Sequence, residues 1–134
     1  IIFIILQILG AGLGVLIAHG MFELDIFQIS SKLRQGVSQG FSEIIATFGL
    51  ILVIFGGLKL RADAIPALVG FYITSAYWFT ASTSFANPAV TLARSLSDTF
   101  AGINPSNIIM FISCQFIGML VALILVKYIF SEKE

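Results

Sequence analysis

Asn87-Pro88-Ala89, set between two long apolar runs, is the group of residues best placed to do chemistry in this sequence. Asn is a strong helix N-cap, and Pro at the first helical position lacks an amide hydrogen that would go unbonded anyway. The spacing predicts a helix over about residues 88–100, roughly 18 Å long at 1.5 Å per residue. That is too short for a hydrocarbon core of roughly 30 Å. A half-length helix entering a bilayer ends inside it, with free backbone donors and its positive dipole end at mid-depth. Channels and transporters place their ligands at such ends. Asn87 Oδ1 can accept a backbone N–H as a cap, which leaves the NH2 to donate to a solute oxygen. A neutral solute suits the site, because the dipole disfavours cations and the solute must leave again. The plainer alternative is that Asn-Pro merely starts a helix, as Asn104-Pro105 is expected to do.

Composition sets the class of the elements that must hold this motif. The 134 residues are 58% hydrophobic and 10% charged, with a mean hydropathy of +1.04. Soluble domains carry about 25% charged residues, so the sequence predicts an all-α membrane protein. Zero formal net charge argues against a nucleic-acid partner and offers no polybasic surface arm. With one His and one Cys, Cys114, no disulfide framework and no zinc site is expected. No nucleophile, base and oxyanion group cluster, so neither catalysis nor a cofactor is expected. Ile1 opens an apolar run with no Met, basic region or cleavage site. The chain therefore reads as a piece of a longer protein.

Four spans and one half-helix are expected, at about 1–19, 41–58, 65–79 and 106–130, with the half-helix at 88–100. Glu23 to Gln39 reads as a polar loop carrying Asp25, Lys32 and Arg34. Pro66 lies in the first turn of the third span, and Ser131 to Glu134 form a polar tail. Gly10, Gly14 and Ala18 recur every four residues, a small-residue stripe suited to close helix contact. Gln7-x-x-Gly10 in the first span is echoed by Gln115-x-x-Gly118 in the last. Such faint similarity is how repeated halves show in transporters and channels.

Ser84-Phe85-Ala86-Asn87-Pro88-Ala89-Val90-Thr91, with Arg94 beyond it, resembles the second pore motif of the aquaporin, or major intrinsic protein, family. Gln7-x-x-Gly10-Ala11 resembles its third helix and Glu43-x-x-x-Thr47-Phe48 the start of its fourth; Gly70 and Gly118 fall where its fifth and sixth helices have glycines. The resemblance covers nearly the whole chain. It implies the C-terminal portion of a bacterial-type member: an aquaporin-like helical bundle with helices three to six and the second re-entrant half-helix, an incomplete six-helix fold. Helices one and two, with another Asn-Pro-Ala, would lie upstream. Homotetramers of the full-length protein are likewise implied.

The sequence departs from that family where most members have Arg directly after the motif, because Val90 stands there. Arg94 is one turn further on the same face, at i+4. Either it reaches the pore or it pairs with Asp98, itself at i+4; the pairing is preferred. A Val at the filter removes a donor and implies passage of glycerol-like polyols or neutral metalloids such as arsenous acid, besides water. The filter candidates are Ser84, Tyr77, Val90 and Arg94. The resemblance suggests that Glu43 accepts backbone hydrogen bonds from the re-entrant loop; a proton-coupling site and a water-facing interfacial residue are the competing readings. His19 reads as an interface residue, and Tyr72, Trp78 and Phe79 as belt aromatics.

Lys59, Arg61, Lys127 and Lys133 fall on one side, which predicts a cytoplasmic C-terminus in the cell (plasma or inner) membrane. Lys32 and Arg34 would then lie outside, against the same rule. The expected function is a passive channel for small neutral solutes in a lipid bilayer. A proton-coupled transporter using Glu43, and a non-conducting half-channel fragment, are the alternatives.

Overall fold

The computed structural model describes residues 1–130, so the tail from Ser131 to Glu134, with Lys133, lies outside the described residues. Helices α1 (Ile2–Met21), α2 (Val37–Leu60) and α5 (Ile108–Ile129) carry the bundle, α5 being preceded by a 3-10 turn at Pro105–Asn107. These three are long and apolar enough to cross a membrane. Helix α3 (Ile65–Phe79) has the expected bounds, with Pro66 in its first turn. Its 15 residues reach about 22 Å, so it is shorter than the other three expected spans.

Helix α4 (Pro88–Arg94) is the half-helix, and at 7 residues it is about 10 Å long. The expected end near residue 100 was too far along. Ser95 turns both its amide and its hydroxyl back on the Leu92 carbonyl, at 3.2 and 2.7 Å. Leu96 and Ser97 then donate to Ala93 and Arg94, three residues back. Short polar side chains that compete for the backbone tighten the chain into turns instead of prolonging the helix.

Helices α2 and α5 pack side by side and parallel. A Cβ on Gly118 would run into the Ile44 carbonyl oxygen, so the two backbones touch there. Gln115 meets Glu43 near the starts of these helices, and Lys59 shares a cavity with Val126 near their ends. Helix α3 returns antiparallel along α2, with Ile65 against Gly57 and Tyr72 Oη donating to the Ala46 carbonyl at 2.9 Å. A Cβ added at Gly10 or Gly14 would meet nothing outside α1 within 4 Å among the described residues. The stripe they form faces outward from this bundle.

From the end of α3 the chain dips to Asn87 and turns back through α4, so Asn87 sits near mid-length of the long helices, among Gln7, Thr47 and Gln115. Residues 22–36 form a strap across the return. Ser30 N donates to the Ser95 carbonyl at 2.8 Å, and Asn104 N to the Lys32 carbonyl at 2.7 Å. Asp98 Oδ1 accepts the Ser31 amide and hydroxyl at 2.8 and 2.9 Å, while its own amide donates to Gln28.

Gly118→Val is expected to push α2 and α5 apart and cost about 1–3 kcal/mol, read as a lower thermal midpoint of the full-length protein in detergent. The Asp98 latch predicts a pH dependence. The Ser31 amide, then its hydroxyl, hold the Asp98 carboxyl below its ordinary value. The latch is therefore complete above the usual carboxylate range and is lost as pH falls through the lowered value. Protection of the Ser31 amide from hydrogen exchange, relative to its intrinsic rate, should fall on acidification. In Asp98→Asn protein it should not change.

Candidate functional site

The dip between α3 and α4 leaves non-helical backbone among apolar helices, where each unbonded amide is costly. One face of α2 supplies most of its partners. Glu43 is fully buried, and its two oxygens accept the Phe85 and Ala86 amides at 2.9 and 3.0 Å. Gln115 Nε2 donates to the same carboxylate at 2.7 Å and to Thr91 Oγ1 at 2.9 Å. Ser42 Oγ accepts the Ala81 amide, and Gln39 donates to the Ala81 carbonyl. These bonds hold a backbone with left-handed φ at Thr83 (62°), Ser84 (47°) and Ala86 (51°). Glu43 thus accepts two amides of the dip and one side-chain N–H.

Asn87 caps α4 as its type dictates. Its Oδ1 accepts the Ala89 amide at 2.8 Å and the Val90 amide at 3.4 Å. Among the described residues its NH2 has no hydrogen-bond partner, and it borders a cavity of about 190 Å³ between α1, α2 and α5. Thr47 Oγ1 and Gln115 Oε1 are buried without partners, and both residues line that cavity. Pro88 and Ala89 form the first turn, Pro88 exposed to the cavity and Ala89 buried.

The filter candidates divide. Arg94 does not pair with Asp98, which corrects the preferred expectation, because Asp98 is turned to the strap. The Arg94 guanidinium folds back instead: Nη1 donates to Thr83 Oγ1 at 3.4 Å, and Cζ lies 4.3 Å from the Phe85 ring centroid and 5.9 Å from that of Tyr77. Tyr77 thus belongs to this cluster, edge-on to Phe100. Val90 is half-buried and packs against Phe85, Ile103 and Phe111. Ser84 is buried with its hydroxyl unpartnered. Trp78 and Phe79 face outward.

Two residues read as a loop charge and an interface residue are buried here. Arg34 is buried at 4% exposure; its Nε, Nη1 and Nη2 donate to the carbonyls of Gly102, Ser82 and Phe100 at 2.7, 2.9 and 2.8 Å. Burial pulls this guanidinium below its ordinary pKa, opposed by the Glu43 charge and by Tyr77. Its misfit with the positive-inside rule was the available signal, since a buried arginine is not a loop charge. His19, in the last turn of α1, is buried: Nδ1 meets the Ile26 carbonyl and Nε2 the Ser97 hydroxyl, both at 3.0 Å.

No family model matches the chain, and no solved structure matches it. "Aquaglyceroporin AqpS" of Rhizobium meliloti (strain 1021) is 47% identical over 127 residues, 95% of this chain and 54% of the relative. The chain spans about half the length of that curated relative. An identity this high across nearly the whole chain, on a helical bundle whose half-length helix opens at Asn87-Pro88-Ala89, means that the chain belongs to the aquaporin (major intrinsic protein) family.

Proposed function

We propose that the complete protein is a passive membrane channel, not an enzyme, and that this chain supplies helices three to six and the second re-entrant half-helix. The observation that carries the reading is the Asn87 NH2, without a hydrogen-bond partner among the described residues, at mid-bundle beside a cavity. A solute oxygen that sheds bulk water gains a donor there, without a charge to trap it. The relative's name, aquaglyceroporin, favours water and glycerol-like polyols as the first solutes to test. Proton coupling through Glu43 gains no support, because its oxygens already accept three N–H groups.

Val90, uncharged and packed against Phe85, Ile103 and Phe111, stands where the family resemblance leads one to expect Arg, which supports wider neutral solutes, arsenous acid included. Lys59 and Lys127 lie at the same end of the bundle, and Arg34 is spent on carbonyls inside it. The remaining loop charge supports a cytoplasmic C-terminus in the cell membrane. A homotetramer of the full-length protein is carried over from the family resemblance.

Stopped-flow swelling of proteoliposomes holding the full-length protein tests this reading. Water and glycerol should enter passively, at rates that ignore an imposed proton gradient; a protein passing water alone would defeat the wider-solute claim. Val90→Arg should slow glycerol and arsenous acid by roughly tenfold or more, and water far less. Glu43→Gln leaves one loop amide facing an NH2 group, so it should cost about 2 kcal/mol or more of stability. Its flux of every solute should fall together.

A further inference from the structure

His19 is a buried titratable group to which the site at Asn87 gives no task. It is 2% exposed, in the last turn of α1, and both ring nitrogens have a partner at 3.0 Å. The partners fix the donors. The Ile26 carbonyl can only accept, so in the neutral ring Nδ1 carries the hydrogen and Nε2 is bare. Ser97 must then donate to Nε2, and Thr99 to the Ser97 oxygen, 3.0 Å away. All three residues line a cavity of about 530 Å³, together with Phe22, Phe100 and Arg94. Arg94 is the last residue of α4. Asn87, which caps the start of α4, lines the mid-bundle cavity with Gln7 of α1. The two cavities therefore follow one another along the same pair of helices, α1 and α4.

We propose that His19 is a proton-operated switch that sets the hydrogen-bond polarity of this cavity wall. The inference rests on the channel reading. While the ring is neutral, the hydrogens of the chain run inward, from Thr99 to Ser97 to His19, and Thr99 Oγ1 shows only lone pairs to the cavity. A proton on Nε2 reverses the chain. Nε2 then donates to Ser97, Ser97 donates to Thr99, and the Thr99 hydrogen is released toward the cavity. Only hydroxyls rotate, and the bond to Ile26 is kept. Among the described residues no carboxylate faces the new charge. Helix α1 carries no other titratable side chain, Asp98 is tied to Ser31, and Glu23 and Asp25 on the strap are exposed. The cations have its own sign: Arg94 lines the cavity, Lys32 lies 5.8 Å from the Phe100 ring centroid, and Arg34 is tied to three carbonyls. A polyol hydroxyl both gives and takes a hydrogen bond. The neutral wall offers it Arg94 donors and Thr99 lone pairs. The charged wall is all donors and leaves the solute hydrogen without a partner.

Glycerol entry into proteoliposomes holding the full-length protein, buffered alike on both sides, tests the switch. Imidazole ordinarily titrates between about pH 5 and pH 8. Asp98, held below its ordinary value, stays charged across that window. Wild-type flux should fall about fivefold on acidification through the window, with no gradient across the membrane. His19→Gln, which takes no charge, should remove the step. Ser97→Ala keeps the bond to Ile26 but cuts the chain, so it should flatten the profile too. A step that survives in Ser97→Ala overturns the relay, because charge alone then suffices. A flat wild-type profile, or a step that persists in His19→Gln, overturns the switch and leaves the channel reading standing. If neither variant reconstitutes, the wild-type profile decides, a step supporting the switch and a flat line overturning it. A wild-type protein that passes neither water nor glycerol at the upper end of the window overturns the channel reading itself.

Discussion

The Glu43 carboxylate accepting the Phe85 and Ala86 amides is the interaction on which the rest of the site depends. A chain that dips into an apolar bundle and turns back must leave helical geometry, and its freed amides have no water to meet. Left-handed backbone at three non-glycine residues, Thr83, Ser84 and Ala86, costs about 1–3 kcal/mol each. Hydrogen bonds to a buried charge contribute about 1.5–3 kcal/mol apiece, so the three at Glu43 are of the size needed to hold it. The partners come from spacing on α2. Gln39, Ser42 and Glu43 lie at i, i+3 and i+4, one helical face; the first two hold Ala81 at the start of the dip and Glu43 holds Phe85 and Ala86 near its tip.

The strap closes the opposite side. A half-helix of 7 residues leaves most of its last carbonyls without intrahelical donors, and no further turn of helix follows. Ser30 covers the Ser95 carbonyl, and Ile103 N reaches that of Arg94. Arg34 gathers three more carbonyls from the segments before and after α4. Its planar fork suits this role, since separate N–H groups point at separate acceptors without rearrangement. Gly102 is required at the crossing: a Cβ there would strike the Ser97 carbonyl and the Ser30 hydroxyl. Strap and dip therefore lock each other, α2 from one flank and residues 22–36 from the other.

What the sequence discloses divides along the same line. Local chemistry was legible. Asn87 as cap, Pro88 at the first position and α3 with Pro66 in its first turn all follow from neighbours in the chain. The end of α4 was misjudged because apolar Leu96 and Phe100 continue a helical pattern, while the serines between them bind the backbone and stop it. Long-range partners were not legible. Arg94 and Asp98 have the spacing of a helical ion pair, yet the helix ends between them and Asp98 finds Ser31, 67 positions away. His19 likewise finds Ser97 at a separation of 78. Nothing in a local window encodes such a meeting; only the strap that brings the segments together does.

The sequence echo between α1 and α5 gains a physical meaning from its asymmetry. In α5 the two echoed residues are both engaged: Gln115 bonds Glu43 and Thr91, and Gly118 lets α5 touch the α2 backbone at Ile44. In α1 the matching Gln7 is exposed on the cavity beside Asn87, and a Cβ added at Gly10 would meet nothing within 4 Å among the described residues. Only 6% of the apolar window of α1 is buried, against 22% for α2 and α5. Repeated residues would do the same work in the same surroundings, so α1 has the side chains for an engagement that the described helices do not supply. Its outward apolar face is in any case incompatible with water, and lipid or further helices must cover it.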